Sequence, residues 1–421
     1  MEQSKLLKFF HTGLATGIFA LVILLMSGCG GGGSSSTGSS TYSGTITGFG
    51  SVFVNGIEFE TQSSSISLDD SSATEDDLKV GMQVTVVGSV DPGGTTGTAT
   101  AIIFRDELEG IVISNSIVTG QKTGDINVMG QTVSVTSSTI IEGVATADLI
   151  TQDMIVEVSG HSSGMGSITA TRIEVKAPDL ATYLASHSEG IEVKGIIVNH
   201  DENNSKFQIG GMTVDYSAAI LDNMPAGSFD ALYVEVKSTS GIDSGSGELV
   251  ASKVELENHG VMGHDGDDNE EMEIKGLITT AIDGNSFAVD GQVITVNEQT
   301  EYEDITKSGL VVDVMVEVEG YYMNGEFIAE EIEVEHESSN EVSDIITAVN
   351  VTTTNTGSVT LQSGATILIT STTIMKDSRD DGFVPDQRFN LQSLSQGDYV
   401  EIYYYDNNGT LTANKLERED I

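Results

Sequence analysis

The densest set of side chains that could hold a metal ion lies in one acidic stretch past the middle of the chain. Asp265, Asp267, Asn269 and Glu271 occupy alternate positions there, which is how an EF-hand calcium loop begins. Glu270 stands where such a loop requires a glycine, so the EF-hand pattern is incomplete. The stretch therefore predicts a charged, solvated linker, with a calcium site formed by those four alternating residues as the alternative.

Two other candidate metal sites are less distinctive. His259 and His264 lie in the same acidic stretch, but no third nitrogen or sulfur ligand accompanies them, as a zinc site would require. Residues 377–382 have a glycine at the position that a calcium loop needs, yet Arg379 stands at a ligand position. We expect neither segment to bind a metal.

No complete catalytic set appears in the sequence. Cys29 is the only cysteine, so a second thiol for a disulfide or a zinc–thiolate site is excluded. Acid pairs such as Glu330–Glu331 fall on alternating strands, whose outward carboxylates are ordinarily solvated. The chain contains no Ser-His-Asp motif, P-loop or dinucleotide fingerprint. We therefore expect a protein that is not an enzyme and needs no cofactor, with calcium as the alternative ligand.

Cys29 follows a segment typical of an exported lipoprotein. Two lysines precede an apolar run from Leu14 to Met26, which is too short to span a bilayer comfortably. The run ends in Leu25-Met26-Ser27-Gly28-Cys29, which resembles the lipobox of bacterial lipoproteins. The resemblance implies that residues 1–28 are a signal peptide and that Cys29 carries lipid.

The residues after Cys29 predict a tether. Residues 29–42 are mostly glycine and serine, a composition that behaves as flexible coil. Gly30 occupies the position where an aspartate would resemble an inner-membrane retention signal. The sequence therefore predicts a lipid-anchored protein of the cell envelope, in the outer membrane, on its periplasmic face or at the cell surface.

Five copies of one pattern fill the rest of the chain. Each copy has a two-residue turn ending in glycine, then a V-x-V strand, then a strand that begins with alanine. The turns are Asn55-Gly56, Met129-Gly130, Gly210-Gly211, Asp290-Gly291 and Ser363-Gly364. The V-x-V centres are Val84/Val86, Val156/Val158, Val234/Val236, Val316/Val318 and Val400/Ile402. The closing strands begin at Ala99, Ala170, Ala251, Ala329 and Ala413. Landmarks in a fixed order at a regular spacing indicate repeated small domains.

The alternating pattern of each copy predicts about five short strands with one buried face. Five antiparallel strands avoid exposed edges by closing into a small barrel. The sequence thus predicts an all-β fold of five tandem OB-like barrel modules on a lipid-anchored tether, with a two-sheet sandwich as the alternative. Pro178–Ala185 predicts a short helix between copies two and three. The predicted modules are residues 43–107, 108–187, 188–271 (including the acidic linker), 272–341 and 342–421.

The charge of the chain limits its partners. The formal net charge is −46, from 64 acidic and 18 basic side chains. Nucleic-acid binding requires clustered lysine and arginine, so nucleic acid is excluded as a partner. The expected partners are the membrane, through lipid on Cys29, and an envelope protein or a glycan.

The first copy carries a family resemblance. The segments Ile46–Gly56, Asp77–Gly88 and Ala99–Phe104 resemble the DUF5666 family, small repeated domains of bacterial lipoproteins without an assigned function. Copies two and four keep the same hairpin and closing strands, whereas Ser238 and Tyr404 replace the strand-four glycine in copies three and five. The resemblance implies an envelope context but no activity and no site residues.

These observations favour a non-enzymatic, lipid-anchored envelope protein whose tandem β modules act as a stalk or as a binding and interaction array. An OB-like array that binds oligosaccharide or peptide is the first alternative. A calcium-binding surface protein is the second.

Overall fold

The computed structural model describes residues 40–69, 71–91, 94–257, 270–303, 305–312, 314–323, 326–334, 340–379, 389–407 and 409–420. This part of the chain is nearly all β-strand, with one α-helix, α1 (Leu180–Leu184). Its short 3-10 helices are Glu75–Asp77, Ala147–Leu149, Lys307–Gly309 and Leu391–Ser393. Among the described residues, no helix is both long enough and apolar enough to span a membrane.

The strands fall into five consecutive groups, which we name modules 1 to 5. Module 1 contains β1 (Ser40–Phe49), β2 (Val52–Val54), β3 (Ile57–Glu60), β4 (Ser65–Leu68), β5 (Ser71–Ala73), β6 (Gln83–Val90) and β7 (Thr96–Phe104). Module 2 contains β8 (Leu108–Asn115), β9 (Gly124–Val128), β10 (Gln131–Glu142), β11 (Ile155–Ser162) and β12 (Ser167–Ala177). Module 3 contains β13 (Ile191–Asp201), β14 (Lys206–Ile209), β15 (Met212–Asp215), β16 (Ile220–Asp222), β17 (Tyr233–Ser238), β18 (Leu249–Val250) and β19 (Lys253–Leu256).

Modules 4 and 5 complete the chain. Module 4 contains β20 (Glu271–Asp283), β21 (Ser286–Val289), β22 (Gln292–Thr295), β23 (Glu301–Glu303), β24 (Met315–Met323) and β25 (Glu326–Val334). Module 5 contains β26 (Asn340–Val351), β27 (Gly357–Leu361), β28 (Thr366–Asp377), β29 (Tyr399–Asn407) and β30 (Thr410–Glu419). β1 begins at Ser40, so residues 40–42, which the sequence assigns to the tether, are strand residues instead.

Every module closes its strands into the same ring. In module 5 the order of strands around the ring is β26-β27-β28-β30-β29. The third strand along the chain, β28, runs parallel to the fifth, β30. The same pairings close module 1 through β3–β7, module 2 through β10–β12 and module 4 through β22–β25. In module 3 the third and fifth strands are each broken in two, but their parallel pairing remains. The predicted OB-like barrel is confirmed, and the sandwich alternative is excluded.

The repeated landmarks of the sequence face the barrel interiors. All ten V-x-V side chains are at most 2% exposed, and the five closing alanines are at most 3% exposed. The Asn-Gly and Asp-Gly turns have the backbone that their residues favour. Asn55 and Gly56 have φ values of 50° and 77°, and Asp290 and Gly291 have 42° and 77°, as a type I′ hairpin requires.

The strand-four glycine has a steric cause. A Cβ on Gly88 would lie 2.3 Å from the Thr98 carbonyl oxygen, and one on Gly160 would lie 2.2 Å from that of Thr169. Each glycine sits where the register between the fourth and fifth strands shifts, opposite the closing alanine. The bulge therefore brings two backbones too close for a side chain on the fourth strand.

The modules pack against one another. β1 of module 1 pairs in parallel with β20 of module 4, and β8 of module 2 pairs antiparallel with β13 of module 3. Modules 2 and 3 share one apolar core, whereas modules 4 and 5 have cores of their own. Ile140 of module 2 and Ile374 of module 5 extend into the core of module 1.

The short helix between modules 2 and 3 is present as α1. The Asp179 side chain accepts a hydrogen bond from the Thr182 backbone at 2.8 Å and caps the helix N-terminus. Tyr183 of this helix is buried, and its hydroxyl donates to the Glu109 carboxylate of module 2.

Candidate functional site

Modules 1, 2, 4 and 5 meet around one cavity of about 140 Å³. We call it the four-module cavity, and fourteen residues line it: Thr45, Thr47, Asn55, Thr136, Ser138, His161, Thr169, Ala170, Thr171, Lys275, Met315, Thr372, Ile374 and Asn414. Half of these side chains are hydroxyls, two are amides, and none is a carboxylate. In a chain with a net charge of −46, a lining without carboxylates is unusual.

Three of the lining hydroxyls, those of Thr136, Ser138 and Thr372, come from a repeated kink in the third strand. In module 2 the Thr136 backbone N–H donates to Thr139 Oγ1 at 2.9 Å, and that hydroxyl donates to the Ala170 carbonyl at 2.7 Å. Module 5 repeats this contact from Thr373 to Ala413, also at 2.7 Å. The inward threonine holds the kink onto the closing strand, and its neighbours Ser138 and Thr372 lie at the cavity.

His161 joins module 2 to module 4 at the cavity. The side chain is 3% exposed, and its Nδ1 lies 2.7 Å from Asp290 Oδ2. A carboxylate accepts, so the ring donates from Nδ1 and keeps a fixed orientation. Asp290 is itself held in place, because its other oxygen accepts the Leu277 backbone N–H at 3.1 Å.

Two polar oxygens of module 1 at the cavity have no hydrogen-bond partner among the described residues. Thr47 is 7% exposed, and its hydroxyl is unpartnered. The Asn55 side-chain oxygen is buried and also unpartnered, although its Nδ2 donates to the Ser43 carbonyl at 3.0 Å. A buried polar group without a partner is unfavourable, and both oxygens are covered by protein atoms and not open to the cavity.

The basic side chains of the lining each face a carboxylate that lies outside it. His161 faces Asp290, and the Lys275 ammonium lies 3.8 Å from the Glu317 carboxylate. Neither Asp290 nor Glu317 lines the cavity. The cavity therefore has a mixed lining of hydroxyl, amide and apolar groups, with little net charge of either sign.

An acidic cluster elsewhere has two buried carboxylates and one exposed carboxylate, and a lysine already neutralises it. Ligand atoms of Asp69, Asp106 and Glu192 lie within 4.8 Å of one another. Lys194 Nζ lies 3.1 Å from Asp106 and 3.0 Å from Glu192, at the place a cation would take. Burial raises the pKa of Asp69 to about 6 although Lys194 lowers it. This cluster joins modules and is not a metal site.

An open groove on module 4 is strongly acidic. It encloses about 460 Å³, and its lining includes Glu301, Glu319, Glu330 and Glu331. Burial is the main cause that raises the pKa of Glu319 and Glu331, and neighbouring carboxylates raise it further. The carboxylates of the groove repel one another, and all of its lining residues belong to one module. We therefore favour the four-module cavity as the candidate site.

Most of the sequence-predicted site residues lie outside the described part of the chain. These are Cys29, His259, His264, Asp265, Asp267 and Asn269. Glu271 is the exposed first residue of β20, opposite Tyr321 of β24. Asp377 pairs with Arg379 at 2.9 Å and with Arg418, so these charges are satisfied within module 5.

No aromatic side chain is exposed in the described ranges. Every described phenylalanine is buried, and the described tyrosines are buried or half-buried. Open faces of this part of the chain therefore lack the stacking platforms on which bases or sugar rings are usually held.

Sequence reasoning missed the cavity residues because they come from four modules. Two sequence features could have indicated these residues. One is the threonines beside the landmark alanines, as in Thr169-Ala170-Thr171, and the other is the spacing of Thr136 and Thr139. Nothing in the local pattern shows that these positions from different copies face one another.

Comparison with known families identifies four of the five modules. The family model described as "Domain of unknown function (DUF5666)" matches residues 43–103, 109–174, 275–333 and 345–417, which together cover more than half of the chain. The matches fall on modules 1, 2, 4 and 5, the same modules that line the cavity. A search of curated proteins found no match.

Proposed function

The chain belongs to the DUF5666 family, and we propose that it is a non-enzymatic, lipid-anchored protein of the cell envelope whose modules form a ligand-binding array. The four-module cavity is the observation that carries this proposal. It is concave, and hydroxyl and amide side chains from four modules line it together with apolar surface.

The contacts between modules favour a binding array over a stalk. A stalk needs modules joined end to end, whereas here β1 pairs with β20 across some 230 intervening positions of sequence, as the Thr41–Met272 register shows. Lys122 of module 2 also contacts Glu341, Glu401 and the Tyr403 hydroxyl of module 5. Such contacts assemble one binding site from several repeats.

The arrangement around His161 supports a role without catalysis. His161 and Asp290 resemble the base and orienting acid of a hydrolase, but a nucleophile must also hydrogen-bond to the base. No described serine or threonine hydroxyl forms such a bond to His161. The pair therefore serves to position the wall of the cavity.

The polar lining favours an oligosaccharide over a peptide as the ligand of the array. Hydroxyl and amide side chains both donate and accept hydrogen bonds, which matches the hydroxyl groups of a sugar. A peptide would favour an exposed strand edge, and closed barrels leave few such edges.

Binding is the direct test of the proposal. The full-length protein, purified in a detergent without a sugar headgroup, is applied to a glycan array and to a peptide library. We expect binding to glycans and none to peptides. Binding to peptides alone would replace the sugar with a peptide ligand, and binding to neither would contradict the array.

The lipid anchor is tested by Cys29→Ser. Each buried methylene of an acyl chain contributes roughly 0.8 kcal/mol to membrane binding, so loss of the acyl chains should release the protein from the membrane fraction or leave an unprocessed precursor. Ser39→Ala, in the predicted tether, is the matched control and should remain in the membrane. Mature, membrane-bound Cys29→Ser protein would contradict the anchor.

A further inference from the structure

We propose that the chain associates head to tail with a second copy of itself, through an exposed turn of module 4 that packs on the exposed strand β16 of module 3. This inference goes beyond the proposed function and does not depend on the four-module cavity. Its basis is a contact between modules 1 and 2, because each half of that contact recurs, uncovered, in another module.

The internal contact joins one strand of module 2 to the turn before the fourth strand of module 1. Ile140 of β10 packs in the core of module 1 beside Val80, and not in the core of its own module. Thr171 Oγ1 donates to the Gly81 carbonyl at 2.7 Å, and Arg172 donates to the Val80 carbonyl at 3.4 Å. The contact therefore combines one apolar pair with two hydrogen bonds to carbonyls of the turn.

Module 3 repeats the strand half of this contact. Ile220 of β16 pairs in parallel with Lys253 of β19, as Ile140 pairs in parallel with Arg172. Ile374 has the same place in module 5, and both Ile140 and Ile374 are buried in the core of module 1. Ile220, by contrast, is 69% exposed. Module 3 thus presents uncovered the isoleucine that two other modules use for docking.

The polar residues of the strand half recur as well. Ser252 precedes Lys253 as Thr171 precedes Arg172, so a hydroxyl and a cation stand beside the isoleucine in both modules. Each cation also forms an ion pair with the glutamate two positions further along its strand. The face of module 3 around Ile220 therefore has the donors that hold the turn of module 1 on module 2.

Module 4 repeats the turn half. Val312 lies four positions before the first landmark valine of its fourth strand, as Val80 does in module 1. Val80 is buried, whereas Val312 is 46% exposed and its neighbour Val311 is equally open. The other three modules have polar residues at this position, namely Gln152, Asp230 and Gln396. Module 4 alone repeats the valine of the internal contact.

A second copy of the chain is the partner that fits both halves. Ile220 and Val312 are exposed in the same chain, so neither covers the other within one molecule. Burying exposed apolar side chains is favourable, and each half matches the other by the example of modules 1 and 2. The two surfaces differ, so the contact is heterologous, and each added copy leaves one free half at either end.

The contact between copies should be weaker than the internal one. A Cβ on Gly81 would lie 3.0 Å from Arg172 Cβ, so the turn of module 1 approaches module 2 as closely as a glycine permits. In the sequence Asp313 follows Val312, where module 1 has Gly81 after Val80. A side chain at this position requires a wider spacing, and we therefore expect association that reverses on dilution.

Ile220→Lys and Val312→Lys test the proposal by placing a charge in either half of the contact. Val118→Lys is the matched control, because Val118 is also 69% exposed but belongs to neither surface. Sedimentation equilibrium of the full-length protein over a range of concentrations, with detergent micelles in excess over protein, gives the number of chains in each complex. The two lysine variants are also mixed in equal amounts, because each retains the half that the other has lost. Ile220→Ser and Val312→Ser are measured in case a lysine variant fails to fold.

We expect wild type and Val118→Lys to form the same dimers and larger complexes, which dissociate on dilution. Each lysine variant alone should associate at least tenfold more weakly, because burial of an unpaired charge is unfavourable. The mixture of the two should form a heterodimer and nothing larger. A monomeric wild type would overturn the proposal and leave both surfaces to a module of another protein. Undiminished association of either folded variant, or a mixture of folded variants that stays monomeric, would also overturn it.

Discussion

At the scale of single residues, one residue type recurs at the same strand position of several modules because the barrel backbone requires it there. The strand-four glycine lies where two strands approach at a bulge, as the distances at Gly88 and Gly160 show. Module 3 has Ser238 there, and its hydroxyl donates to the Val250 carbonyl at 2.6 Å. The serine thus uses a side-chain hydrogen bond where modules 1, 2 and 4 use close backbone contact.

We predict that Gly160→Ala destabilises the protein by roughly 1–3 kcal/mol, the range for forcing an extra methyl group into a packed site. The added Cβ would lie 2.2 Å from the Thr169 carbonyl oxygen, and a backbone atom cannot move aside as a side chain can. Urea unfolding measures the change. Gly48→Ala is the control, because its methyl would meet nothing closer than 3.4 Å. Equal stability of the two variants would contradict the steric account.

Buried carboxylates should make the protein less stable as the pH rises. Burial raises the pKa of Glu109 to about 7, with Glu157 and Glu192 adding to the rise and Tyr183 and Lys176 opposing it. Burial also raises the pKa of Glu107 to about 7 and that of Asp69 to about 6. Between about pH 4.5 and pH 7 the folded state therefore binds more protons than the unfolded state, so the free energy of unfolding falls as the pH rises.

Glu109→Gln should remove part of this dependence, because glutamine resembles the protonated acid and still accepts from Tyr183. We expect the variant to be more stable than wild type by roughly 1–2 kcal/mol at pH 8, after allowance for solvent screening, and nearly equal at pH 4.5. Calorimetric melting across this pH range measures it. The exposed Glu298→Gln is the control and should leave the slope unchanged. A slope that stays the same in Glu109→Gln would contradict the role of this carboxylate.

At the scale of elements, one strand serves two modules. β8 closes the barrel of module 2 against β11 and also pairs with β13 of module 3. Leu108 of β8 lies opposite both Val158 and Val193, and all three side chains are fully buried in the shared core. Modules 2 and 3 should therefore unfold together.

We predict that Leu108→Ala costs about 2–5 kcal/mol, the usual range for leucine truncation in a core. Hydrogen exchange should show faster exchange in the strands of both modules 2 and 3. Val359→Ala, in the separate core of module 5, is the comparison and should affect that module only. Faster exchange confined to module 2 in Leu108→Ala would show that the shared core does not couple the two modules.

The strands were predictable from the sequence because each landmark acts locally. Alternating valines predicted the fourth strand, and Asn-Gly or Asp-Gly predicted the hairpin, since both depend on neighbours within a few positions. The broken third strand of module 3 was harder to predict. Thr300 of module 4 bonds the Ala329 carbonyl as Thr139 and Thr373 bond theirs, yet the third strand of module 4 is broken too, so this threonine does not decide the break. The exact domain boundaries stay a prediction.

At the scale of the whole molecule, the packing of the modules could not be predicted. The contacts that form the cavity join residues far apart in sequence, such as Lys122 with Glu401 and His161 with Asp290, and no repeat pattern encodes which copy meets which. The charge of the chain limits its expected partners but carries no information on how the modules pack. The site therefore depends on tertiary contacts that the copies do not share.

The central claim is that separate modules pack around one cavity, and a double-mutant cycle between His161 and Asp290 tests it most directly. Asp290→Asn keeps the turn, since Asn55 holds the same position in module 1, and His161→Leu removes the hydrogen bond from the other side. Urea unfolding of wild type, both single variants and the double variant gives the coupling energy. Packed modules predict a favourable coupling of roughly 0.5–3 kcal/mol between these residues of modules 2 and 4. Strictly additive effects of the two substitutions would contradict the packing and the cavity with it.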